Sequence, residues 1–101
     1  MAFKDQWGES LFTIHNNDGS TFDIVVSGRV RWALEALIAA DKKGCTSITT
    51  PGPRWSAYVF DLRALGVPIV THHEPHAGAF PGMHARYVLT ARVERAGEAA
   101  A

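Results

Sequence analysis

Residues 54–66 read RWSAYVFDLRALG, and this stretch constrains the fold more than any other. Trp55, Val59 and Leu62 recur at spacings of four and three, and Tyr58 and Leu65 extend the same face. Arg54, Ala57, Asp61 and Ala64 make up the opposite face, with Ser56 and Arg63 near its borders. Pro53 suits a first helical turn and Gly66 a stop. The pattern predicts a short amphipathic helix over 54–65 whose apolar side needs another element to cover it.

Gly66 leads into the next element without a linker. VPIVTH, residues 67–72, reads as a strand, and EPHAGAFPG, residues 74–82, is too rich in Pro and Gly for anything but a loop. In MHARYVLTARV, residues 83–93, Ala85, Tyr87 and Leu89 alternate with Arg86, Val88 and Thr90, the period of a returning strand.

Upstream, residues 29–43 place Val30, Leu34, Leu37 and Ile38 at helical spacing, with Ala33 and Ala40 filling gaps. Ser27 stands as the N-cap candidate, Lys42 and Lys43 suit the last turn, and Gly44 closes the helix. Between the two helices, CTSITTPGP at 45–53 holds two prolines and a glycine, so only a short extended or turn segment fits there. Residues 10–26, SLFTIHNNDGSTFDIVV, alternate apolar and polar positions on both sides of Asn16-Asn17-Asp18-Gly19-Ser20, a β-hairpin signal. The predicted order is hairpin, helix, turn, helix, strand, long loop, strand. The expected core is Leu34, Leu37, Ile38, Trp55, Val59, Leu62, Ile69 and Tyr87.

A chain of 101 residues makes one domain. Cys45 is the one cysteine, so no internal disulfide forms, which suits a reducing cytoplasm. No apolar run reaches membrane-spanning length, and MAFKDQWGES lacks a signal-peptide core, so the cytoplasm is the expected compartment. Net charge is zero. Its distribution is uneven: Lys4 against Asp5, Glu9, Asp18 and Asp23 leaves residues 1–27 at −3. Arg29, Arg31, Lys42, Lys43, Arg54 and Arg63 against Glu35, Asp41 and Asp61 leave residues 28–73 at +3.

A helix, a tight connection, and an amphipathic helix ending Asp61-Leu62-Arg63-Ala64-Leu65-Gly66-Val67-Pro68-Ile69 before a two-stranded hairpin form a recognisable layout. Residues 30–93 resemble small winged-helix, helix-turn-helix-like domains encoded in bacterial genomes and their prophages. The stretch GPRWSAYVFDLRALGVPIVTHHEPHAGAFPGMHARYVL carries the resemblance. It implies an α+β winged helix with a shortened helix-turn-helix core and an extra N-terminal β-hairpin. Residues 1–27 are the hairpin, part of the same domain; 28–95 are the winged helix; 96–101 are a flexible tail with nothing to bury.

The resemblance further implies binding of double-stranded DNA, with the helix at 54–65 in the major groove and the wing at 67–93 on the backbone or minor groove. Such a protein serves as a transcriptional regulator or phage-related accessory factor. Candidate DNA contacts are Arg54, Ser56 and Arg63 on the helix and His73, His76 and Arg86 on the wing. A protein-interaction module on the same fold is the alternative, favoured by zero net charge, the reduced middle element and the acidic hairpin.

His72, His73, His76 and His84 cluster in the wing with Glu74. Adjacent strand residues point to opposite faces, so a metal site is not expected there. Cys45 follows a helix end, which raises a thiol pKa, and reads as a small buried residue; Trp7, Trp32 and Trp55 read as core or interface aromatics. Paired carboxylates, a P-loop and G-x-S-x-G are all missing from the sequence, so no catalytic group, no metal and no cofactor is expected. The hairpin either packs on its own domain or extends a sheet with a second copy as a homodimer.

Overall fold

The computed structural model describes residues 8–47, 49–50, 54–76 and 82–98. Trp7 and residues 77–81, in the predicted wing loop, lie outside them. In chain order the elements are β1 (Ser10–His15), β2 (Thr21–Val26), α1 (Gly28–Ala40), a 3-10 turn (Asp41–Lys43), α2 (Trp55–Ala64), β3 (Ile69–His76), β4 (Gly82–Leu89) and β5 (Arg92–Glu98).

The fold is α+β. Two antiparallel sheets hold the two helices: a three-stranded sheet ordered β2-β1-β5 and a two-stranded wing, β3-β4. The wing gains a short third partner where Cys45 bridges Tyr87, with paired backbone bonds of 2.9 Å each way. Between Cys45 and α2, the described residues form a turn closed by Thr50 N–H on Thr46 C=O at 2.9 Å. The Thr46 and Thr49 hydroxyls bond each other there at 3.0 Å. Among the described residues, the bridge at Cys45 breaks any continuous helix running from α1 into this segment.

Several boundaries depart from the sequence reading. The predicted strand over 83–93 is two strands. Thr90 N–H bonds back to Pro68 C=O at 3.1 Å, ending the wing, and the chain crosses to β1, where Val93 faces Ile14. β5 continues to Glu98, so 96–98 belong to a sheet rather than to a tail; residues 99–101 lie outside the described set. The wing strands are longer than expected, taking in 74–76 and Gly82 from the predicted loop. The helix expected to reach Lys43 stops at Ala40, because Asp41 takes φ +52° and a 3-10 turn begins there. Ser27 is extended at the N-cap position, but its hydroxyl makes no capping bond.

The core lies between the helices and the inner faces of both sheets. Leu34, Leu37, Trp55, Val59, Leu62 and Ile69 are buried as expected, whereas Ile38 and Tyr87 are only partly covered. The hairpin supplies Phe12, Ile14, Ile24 and Val26, and Val67 and Val93 complete the cluster. The hairpin therefore packs on its own domain. Trp55 stacks on Tyr87 with ring centroids 6.1 Å apart and lies 5.3 Å from Trp32, which ties the wing, α2 and α1 together. Cys45 is buried, and loss of hydration rather than the helix end is the leading cause that pushes its thiol pKa up.

Candidate nucleic-acid interface

Trp55, Tyr58, Val59 and Leu62 turn into the core, as their spacing dictates. The outward stripe is then Ser56, Phe60 and Arg63, flanked by Asp61 and Ala64. Phe60 is 73% exposed, a large apolar side chain at the centre of the helix's free face. The basic end of that face is its start. Arg54 occupies the N-cap at φ +61°, ψ +42°, is exposed, and gives its carbonyl to Ala57 and Tyr58 N–H at 3.0 and 3.3 Å.

Arg54 and Ser56 are two positions apart, so they leave the helix on different sides. Ser56 opens into a groove of about 400 Å³ with Ser47, Trp55, Met83, His84, Ala85 and Tyr87, between α2 and the wing. Arg54 opens into a second groove with Arg29 and Val30 of α1 and Ala57, Phe60 and Asp61 of α2. The first turn of α2 thus stands between the wing and the start of α1, with a polar or cationic side chain towards each.

The other candidate residues are placed differently. Arg63 donates from Nε and Nη2 to the Ile69 carbonyl (3.2 and 2.7 Å) and from Nη2 to Thr71 Oγ1 (2.8 Å). It straps the end of α2 to β3. Arg86 donates to Glu74 Oε2 and to the Lys43 carbonyl, both at 2.7 Å, and so braces the wing against the 3-10 turn that follows α1. His84 approaches the other Glu74 oxygen at 3.3 Å. The Arg86 guanidinium bonded to Glu74 holds that carboxyl below its ordinary pKa, with His84 adding to the effect, and raises the pKa of Arg86 in return.

His73 is exposed on β3 opposite Ala85, and His72 is exposed on the other face opposite Arg86. His76 closes β3 opposite Gly82, and its side chain is outside the described set. Among the described residues no three His, Cys, Asp or Glu side chains converge as a metal site would need.

Of the groove residues, the sequence reading named His84 only in the wing histidine cluster and Arg29 only in the basic segment, not as contacts, and it did not name Ser47 or Phe60 as site residues. His84 and Arg29 carried a signal as cationic types in the right segments. Ser47 and Phe60 carried none without the packing.

No curated protein and no solved structure matches the chain. The family model for the winged helix domain matches residues 23–99, from within β2 through β5. Two helices, an amphipathic second helix running directly into a β-wing, and that match over most of the length place this chain in the winged-helix domain family.

Proposed function

We propose that this winged-helix domain binds double-stranded DNA through the first turn of α2 and the adjoining wing. Winged-helix domains commonly do so. The observation that carries the reading is the shared groove: Ser56 of α2 and His84 of β4 line one open surface, so helix start and wing can meet the same duplex. Arg54 and Ser56 are the helix contacts. His73 and His76 are the wing contacts. Arg63 and Arg86 act first as braces, since their guanidinium groups already hold β3 and the 3-10 turn after α1. Asp61 repels phosphate, which keeps the contacts at the N-terminal end of the helix. A role as a transcriptional regulator or phage-related accessory factor in the cytoplasm accords with this reading.

The test is a duplex-binding titration at several salt concentrations. Affinity that falls steeply with salt and weakens on Arg54→Ala supports the proposal. No binding at low salt rejects it. A second reading, a protein-docking module, is favoured by one observation, the exposure of Phe60 beside Asp61. It predicts no duplex binding at low salt, and that Phe60→Ser leaves the fold unchanged while abolishing capture of a protein partner.

A further inference from the structure

Among the described residues β2 is an edge strand, and it lacks the usual protection. It pairs with β1 on one side, and among the described residues nothing pairs with it on the other. At the closed end of the hairpin Asn16 N–H bonds to Ser20 C=O at 2.8 Å. Antiparallel alternation from that pair turns the backbone groups of Phe22, Ile24 and Val26 towards β1 and those of Thr21, Asp23 and Val25 outward. Ser27 is also extended, at φ −147° and ψ 171°, so the free edge runs for seven residues. Natural edges carry Lys, Pro or a bulge. This one has none, and its single charge, Asp23, accepts a bond from Thr13 Oγ1 on the outer face at 2.7 Å. Val25 is 50% exposed. Beside the edge lies a largely apolar trough lined by Val25, Val26, Val30, Ala64 and Leu65 together with Ser27 and Asp61, and Leu65 is 44% exposed.

We infer that β2 pairs antiparallel with β2 of a second copy, joining two three-stranded sheets into one of six strands. Any antiparallel pair of identical strands is two-fold symmetric, so the interface is self-complementary and closed. Charge selects the register. Centring the pair on Asp23 sets two carboxylates directly opposite each other and is disfavoured. Centring it on Ile24 sets Asp23 opposite the partner's Val25 and Thr21 opposite the partner's Ser27. The hairpin tip with Asp18 then lies beside the start of the partner's α1, where Arg29 and the positive end of the helix dipole stand. That opposite-charge contact occurs at both ends of the pair. The two troughs fall on the same side of the joined sheet, and in this register each lies beside Phe22 and Asp23 of the partner's β2, which covers Leu65.

An interface of this size sits near the low end of specific association, about 1,200 Å² in total, so the dimer is a concentration-dependent one. It leaves the wing free in both copies but brings the partner's hairpin tip next to the Arg29 side of the Arg54 groove, and it stands whether or not those surfaces bind DNA.

Sedimentation of the full chain between about 1 and 100 µM, without DNA, tests this directly. The expected result is a shift from monomer to twice its mass, with amides of Thr21, Asp23 and Val25 gaining exchange protection as concentration rises. Val25→Pro removes an outward N–H, and Leu65→Glu places a carboxylate in the covered trough. Each is expected to weaken the dimer at least about tenfold. Circular dichroism and thermal melting identify a variant that fails to fold, and Leu65→Glu, at an exposed helix end, then decides alone. A monomer at every concentration overturns the proposal. So does a dimer that folded variants leave intact, or one whose β2 amides exchange freely.

Discussion

Gly44 stands where the 3-10 turn hands the chain to Cys45, at φ +68°. A Cβ there would come within 2.5 Å of the Tyr87 carbonyl oxygen and 2.7 Å of Val88 Cγ2. Both the backbone conformation and the close approach exclude a side chain. Gly44→Ala is therefore expected to cost about 1–3 kcal/mol from backbone strain alone, with the overlap adding to it. The loss should appear in a denaturant titration together with loss of protection at the Tyr87 amide. The sequence placed this glycine as the stop of the first helix; that helix ends at Ala40, and Gly44 closes the 3-10 turn after it instead. Its contact with β4, 43 residues later, depends on tertiary packing. Arg63 teaches the same lesson. Its place on the exposed face was readable, but its bonds to Ile69 and Thr71 were not. Arg63→Ala should lower stability by about 1–2 kcal/mol through lost hydrogen bonds. Arg54 makes no such strap, and Arg54→Ala should leave stability unchanged while reducing duplex affinity by about 1–3 kcal/mol.

At the scale of elements, the helices were legible because four apolar positions in each repeat at the helical period, and the hairpin because its alternation flanks a polar turn. The return strand was legible in type but not in extent. Thr90 and Ala91 carry no Gly or Pro to mark a break, and the alternation of 83–93 passes through them unchanged. Only the bond from Thr90 to Pro68 and the pairing of β5 with a strand some 80 residues earlier divide it. Within the wing, Glu74 joins His84 to Arg86 across the strands. Its pKa is lower in the folded chain than in the unfolded one, so its stabilisation is present above the ordinary glutamate value, about 4.3, and is lost as pH falls through the depressed folded value. Thermal melts between pH 3 and 7 should show an acid-side loss of stability that Glu74→Gln reduces. An identical acid limb in the variant would mean that other carboxylates set the acid stability of the domain.

Across the whole molecule, one strand near the C-terminus decides whether the N-terminal hairpin has a complete sheet. β5 covers the edge of β1 opposite β2, and Val93 closes the core beside Ile14. Arg95 pairs with Glu35 of α1, which also holds Arg31 at 2.9 Å, so β5 is tied to the first helix as well as to β1. Burial of a valine alone contributes about 1.5–3 kcal/mol. Deleting the strand also exposes the ladder of β1. Together these losses are comparable with the entire stability of a small domain, about 5–15 kcal/mol. A chain ending at residue 91 keeps both helices and the wing, yet is expected to lose its cooperative melt, whereas a chain ending at 98 should melt within a few degrees of the full length. Calorimetry on the two truncations separates the outcomes. If the chain ending at 91 melted cooperatively near the full-length temperature, the wing and helices would be a self-sufficient unit, and the hairpin sheet an addition to it rather than half of its core.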